Sequence, residues 1–281
     1  MLKFTKMHGI GNDYIYINAI EQKIDNPNDL ALKLSDRRFS IGGDGVILIC
    51  SSDVADAKMR MFNADGSEGK MCGNGVRCVG KYVYDNLIDD KSRDTITIET
   101  LSGIKTLKIT AVNGMAELLE VDMGKAELKA VEIPVVYEGC DTVIAKPLLV
   151  NNKEHIVTCV SMGNPHCVTF VDDVDSLELE KIGPHFENHK AFPERINTEF
   201  VKVIDEKTLQ MRVWERGSGE TWACGTGACA TVVAACENGY CKKGEDITVH
   251  LRGGDLVINY TDERVLMTGP ATKVFDGEIE V

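Results

Sequence analysis

Two short stretches hold the residues whose types and spacing could do chemistry: Cys72-Gly73-Asn74-Gly75 and Cys224-Gly225-Thr226-Gly227. Each places a cysteine and glycines ahead of a stretch with helical character, Val76 to Tyr84 and Ala228 to Cys236. A helix N-terminus leaves backbone N–H groups unpaired and carries the positive end of the peptide dipoles, so it favours an anion. A carboxylate can dock on the amides of Gly73, Asn74, Gly225 and Thr226, and a cysteine held there can ionise below its free value of about 8.5. Taken singly, each motif equally fits a buried structural cysteine followed by glycines for a tight turn. As a matched pair, thiol and thiolate suit the inversion of a stereocentre, where a base removes a proton from one face and an acid returns one to the other. The carbanion between those steps needs its charge held, a task for preorganised amide donors.

The elements that must position these residues are repeated as well. A constant offset of 152 positions carries residue 72 onto residue 224, Met59-Arg60 onto Met211-Arg212, Glu68 onto Glu220 and Gly11-Asn12 onto Gly163-Asn164. Such self-similarity at a fixed period is the mark of an internal duplication. In each copy alternating strands (Met59 to Phe62, Gln210 to Trp214) lead through a Gly-rich loop to the cysteine and its helix, and further strands follow (Thr95 to Glu99, Asp246 to Leu251). Helices are few and strands many, which predicts an α+β fold of two pseudo-symmetric domains, each a mostly antiparallel β-barrel or roll around a central helix, with the active site in the cleft between them. The expected domains are residues 1–120, with the segment 271–281 a candidate to return and complete them, and residues 121–270.

Composition narrows the function. With 31 Lys plus Arg against 44 Asp plus Glu, the net charge of −13 supplies no basic field for a nucleic acid. No apolar run approaches the roughly 20 residues that span a bilayer, and the N-terminus lacks a signal peptide's apolar core, so the expectation is a cytoplasmic protein off the membrane. The ten cysteines include no Cys-x-x-Cys pair and the histidines stand at no ligand spacing from them, so neither disulfides nor a metal site is expected.

Read together, Asn63-Ala64-Asp65-Gly66-Ser67-Glu68, Met71 to Cys78, Gly163-Asn164-Pro165-His166 and Glu215-Arg216-Gly217-Ser218-Gly219-Glu220-Thr221 before Ala223-Cys224 give a sequence that closely resembles the diaminopimelate epimerases. The likeness runs from His8-Gly9-Ile10-Gly11-Asn12-Asp13 to Val274-Phe275-Asp276-Gly277. It implies a cofactor-free interconversion of L,L- and meso-diaminopimelate, on the route to lysine and peptidoglycan, with Cys72 the base for the L,L isomer and Cys224 the base for the meso isomer. It also implies that Asn12, Asn63, Asn164 and Asn197 hold the substrate, mainly at its distal end, where Arg216 pairs a carboxylate. Glu215 and the carbonyl of Arg216 then receive the reacting α-ammonium, and His166 and Glu215 tune the thiols. A homodimer is expected, with Phe275 where some members carry a tyrosine in the dimer contact. One departure is Gly45 in Gly42-Gly43-Asp44-Gly45, where some members carry glutamine near the substrate; the offset pairs it with Asn197.

Two other readings remain open at this point. Another cofactor-independent amino-acid racemase could share the architecture, although proline racemases typically carry His after the first Cys-Gly and Pro before the second Cys, where this chain has Asn74 and Ala223. Alternatively, Cys72 and Cys224 could form a reversible redox pair.

Overall fold

The computed structural model describes all 281 residues. The chain divides into two compact units, Met1–Asp122 with Thr268–Val281, and Met123–Met267. The elements in chain order are β1 (Leu2–Gly9), β2 (Asn12–Asn18), α1 (Pro27–Leu34), β3 (Gly45–Cys50), β4 (Ala57–Asn63), β5 (Glu68–Gly69), α2 (Gly73–Asn86), β6 (Thr95–Thr100), β7 (Gly103–Val112) and β8 (Met115–Gly124). There follow β9 (Lys146–Val150), β10 (Lys153–Ser161), β11 (Pro165–Phe170), α3 (Leu179–Glu187), β12 (Asn197–Asp205), β13 (Thr208–Glu215), β14 (Gly219–Thr221), α4 (Gly225–Glu237), β15 (Asp246–Leu251), β16 (Gly254–Tyr260), β17 (Val265–Pro270) and β18 (Thr272–Ile279). This is a mixed α+β fold of four helices and eighteen strands. The order from β1 to β8 recurs from β10 to β17, each element displaced by about 152 positions.

Pairing follows the same plan in each unit. In the first, β2–β3 and β4–β6 are parallel, while β1–β2, β3–β4, β4–β5, β6–β7 and β7–β8 are antiparallel. In the second, β11–β12 and β13–β15 are parallel, and β10–β11, β12–β13, β13–β14 and β15–β16 are antiparallel. One strand differs in origin. The free side of β10 is covered by β9, which immediately precedes it, whereas the free side of β1 is covered by β18, paired from Leu2 against Ile279 to His8 against Thr272 with one register shift between Lys6 and Met7. A strand left open on that side would present unpaired N–H and C=O groups as a template for foreign chains. The far end of the chain thus supplies to β1 what a preceding hairpin supplies to β10.

The helices α2 and α4 are enclosed. Every residue of α4 from Ala228 to Ala235 is buried, in keeping with a segment that is apolar all round. In α2 burial runs from Gly73 to Gly80, and Gly80 lets the β7–β8 hairpin close down, since a Cβ there would lie 2.5 Å from Leu107 Cδ2. Both helices begin at the glycines after the cysteine, three residues before the expected Val76 and Ala228, because each cysteine caps its helix and draws the glycines into the first turn. The short α1 and α3 were not anticipated. The first has its own start signal, Asn26 as cap with Pro27 at the first helical position. It covers Val46, Leu48 and Phe62 on the face of the sheet away from α2. In the second unit α3 packs on β12, β13 and β14, with Phe186 and Phe200 edge to face in the core.

Candidate active site

Each cysteine is the N-cap of a central helix. Cys72 and Cys224 have extended backbones, and their sulfurs accept the third-residue amides, Gly75 N–H at 3.4 Å and Gly227 N–H at 3.3 Å. Sulfur here takes the part usually played by a Ser or Asp oxygen, and a bond from an amide donor is stronger to thiolate than to thiol. Gly227 is required by close packing: a Cβ there would stand 2.7 Å from Glu199 Oε1 and 3.1 Å from Cys224 Sγ.

In the first unit Cys72 is half-buried and donates to Asn12 Oδ1 at 3.2 Å. The Asn12 amide donates in turn to Asp44 Oδ2 at 2.7 Å, and Asp44 also accepts the backbone N–H of Asp13. Arg37 bridges Asp13 and Asp44, at 2.6 and 2.9 Å, and Lys6 pairs with Asp13 from the other side. Burial pushes the Asp13 carboxyl up, but the hydrogen bonds and charges of Arg37 and Lys6 outweigh it and leave Asp13 below its ordinary value. Asn63 lies at the end of β4 and donates to Ser67 Oγ. The side chain of Asn74 turns inward: it is buried and accepts from Arg77, whose guanidinium is 0% exposed and also donates to the carbonyls of Gly73 and Pro270. Asn74 can therefore serve a ligand through its amide N–H, not through its side chain. At Gly45 a Cβ would fall 2.0 Å from the carbonyl oxygen of Phe62, so this backbone excludes a glutamine there.

The second unit gathers more of the expected residues. Asn164 donates to Thr226 Oγ1 at 3.3 Å, and that hydroxyl lies 3.6 Å from Cys224 Sγ. His166 places Nε2 3.1 Å from Asn164 Oδ1 and Nδ1 2.7 Å from Glu199 Oε1, with both His166 and Glu199 fully enclosed. Asn197 pins the neighbouring loop by donating to the Pro165 carbonyl and accepting the Arg216 N–H. The Arg216 side chain reaches the Glu194 carbonyl, and Glu215 Oε1 accepts from the Thr221 hydroxyl. Burial, followed by the carboxylates of Glu215 and Glu199, pushes the Cys224 thiol well above its ordinary value, against the lowering hydrogen bonds of Thr226 and Gly227.

Sequence reasoning missed Glu199, Asp44, Arg37, Arg77 and Thr221. Glu199 offered a signal, an acid directly before the apolar pair Phe200-Val201, two residues beyond Asn197 and so on the same strand face. Of the other cysteines, burial pushes Cys78 up to about 11 and Cys236 up to about 12. No helix is long and apolar enough to cross a membrane.

A mixed α+β chain with a cysteine-capped helix in each of two units has solved relatives. A probable proline racemase from Agrobacterium radiobacter superposes with a TM-score of 0.74 over 100% of this chain and 93% of its own, at 11% identity, a likeness of fold alone. The family model for diaminopimelate epimerase matches residues 4–129 and 158–274. Among curated relatives, the diaminopimelate epimerase of Methanococcus maripaludis strain S2 is 57% identical over 100% of both chains, and that of Acetivibrio thermocellus is 55% identical over 100% of this chain and 99% of its own. The chain belongs to the diaminopimelate epimerase family.

Proposed function

We propose that this isomerase interconverts L,L- and meso-diaminopimelate, a step of lysine and peptidoglycan precursor synthesis, by removing the α-proton with one cysteine sulfur and returning a different proton from the other, without a cofactor. The observation that carries the mechanism is the matched pair of sulfurs, each capping a buried helix and each receiving a third-residue amide N–H. In the L,L to meso direction the Cys72 thiolate takes the α-proton, and the Cys224 thiol delivers its own proton to the opposite face of the planar carbanion. Cys224 starts protonated because it is buried beside Glu215 and Glu199. When the substrate's α-ammonium pairs with Glu215, that carboxylate's charge is offset and Cys224 gives up its proton more readily. The amides at the two helix starts hold the α-carboxylate and, through it, the carbanion's charge. Asn12, Asn63, Asn164 and Asn197 hold the substrate, mainly at its distal end, where Arg216 pairs a carboxylate. In the cell the protein is a cytoplasmic homodimer, with β18 and Phe275, half-exposed and edge-on to Phe4 at 5.9 Å, in the contact.

The test is incubation of reduced protein with L,L-diaminopimelate in deuterated water, with proline and ordinary L-amino acids in parallel. Meso product bearing α-deuterium, with the other substrates untouched, is the expected result. Deuterium entering another amino acid instead reassigns the substrate, and no exchange anywhere in folded protein overturns the two-thiol mechanism.

A further inference from the structure

Glu199 neither gives nor takes a proton in the transfers above, yet it is a fully enclosed carboxylate, the third residue of β12. The residue 152 positions earlier is Ile47, also fully buried, which shows that this place in the fold is satisfied by an apolar side chain. Burying an acid where an aliphatic fits is costly unless its oxygens are used. One oxygen, Oε2, has no hydrogen-bond partner; the other, Oε1, faces His166 Nδ1 at 2.7 Å. The carboxylate therefore braces no backbone and serves one ring. Beyond that ring, Nε2 faces Asn164 Oδ1, so the asparagine's nitrogen points to Thr226 Oγ1, and the Thr226 hydroxyl lies beside Cys224 Sγ.

We propose that Glu199 is a positioning residue for the second thiol: it fixes the His166 ring, the ring fixes the Asn164 amide, and the amide fixes the Thr226 hydroxyl at Cys224. The inference rests on the reading of Cys224 as an acid and base. Asn164 Oδ1 can only accept, so the chain needs the proton at His166 Nε2, and the group facing Nδ1 holds the ring there whether it donates or accepts; glutamine, whose amide can present either end, preserves the chain and isoleucine breaks it. Rotation of the ring would release the Asn164 amide and leave Thr226 free to turn from the sulfur. A displacement of about 1 Å at a reacting group can cost about 100-fold in rate.

The experiment compares Glu199→Ile and Glu199→Gln in the full chain, with two readouts: steady-state kinetics on diaminopimelate, and the iodoacetamide alkylation rate of each cysteine followed by peptide mass. The expected result for Glu199→Ile is a kcat lower by about 100-fold, KM within about threefold, and a Cys224 alkylation rate changed by more than about fivefold while Cys72 is unchanged. Glu199→Gln keeps kcat within about fivefold of wild type. Wild-type kcat and Cys224 reactivity in Glu199→Ile overturn the proposal, as does equal loss in both variants. Should Glu199→Ile not fold, proton NMR of the wild type decides: a slowly exchanging His166 Nε2–H resonance is expected, and an unprotonated Nε2 overturns the proposal. Activity retained in Cys224→Ser would instead bring down the parent reading, whatever Glu199 does.

Discussion

The two thiols sit on the same local frame but are braced by opposite means. Asn12 and Asn164 occupy corresponding positions, 152 residues apart, and each orients an amide toward its own helix start. Asn12 is held by Asp44, whose carboxylate is tied to Arg37 at a half-exposed surface. Asn164 is held by His166 and Glu199 in the dry interior. Behind the helix start the contrast continues, with a buried cation, Arg77, in the first unit and a buried anion, Glu199, in the second. Two copies of one backbone can thus give their cysteines unlike electrostatic settings, because the backbone fixes only the cap and the amide. A base and an acid that must start in different protonation states require this difference.

The largest effect should come from the sulfurs themselves. Cys72→Ala and Cys224→Ala should each lower kcat by about 10³-fold or more, within the range for loss of a general acid or base, and equal loss at both would place both sulfurs in the reaction. Glycine substitution sharpens the contrast between the two settings. A Cβ on Gly75 meets Ile47 Cδ1 at 2.8 Å and Met59 Cε at 3.1 Å, the movable ends of flexible side chains. A Cβ on Gly227 meets the pinned carboxylate of Glu199. Gly227→Ala should therefore lose about 10- to 100-fold in kcat through displacement of the thiol, and Gly75→Ala less than about threefold, measured by steady-state kinetics.

Smaller effects concern the braces. Asp44→Ala removes the acceptor for the Asn12 amide and should lower kcat by about tenfold, with about 1 kcal/mol of stability lost by urea denaturation, since the ion pairs it breaks are partly solvated. The smallest effect is the pH dependence of stability. Asp13 lies below its ordinary 3.8 in the folded chain, so its contribution is present above that value and is lost as the pH falls through the folded one. Cys224 lies above its ordinary 9.0, so its contribution is present below that value and fades as the pH climbs past it. Urea midpoints against pH should show Asp13→Asn flattening the acid limb and Cys224→Ser flattening the alkaline limb; a swap of the two limbs would contradict the assignment of settings.

Much of the architecture was legible because local signals agree with the tertiary result. The offset of 152 residues is visible in a handful of identities, and the element order follows it from β1 against β10 to β8 against β17. The α+β class followed from many alternating segments and few helical ones. The helices α1 and α3 escaped notice because they are short, of eight and nine residues, and α3 even contains Pro184. The residues around the cysteines were only partly legible. Asn12, Asn164 and His166 were named through the family resemblance of the motifs that contain them, but Asp44 and Glu199 acquire their parts through contacts with residues 32 and 33 positions away.

The sequence alone determined what is local or repeated: cysteines before glycines at helix starts, the alternation of the strands, and an acidic surface without a basic field for nucleic acid. Tertiary structure decided what depends on distant neighbours. It turned the Asn74 side chain inward to Arg77, excluded any side chain at Gly45 through the carbonyl of Phe62, and enclosed Glu199 against His166. The physical reason is that capping and periodicity act within a turn or two of chain. The orientation of an amide, by contrast, is set by whichever partner the fold brings within hydrogen-bond distance.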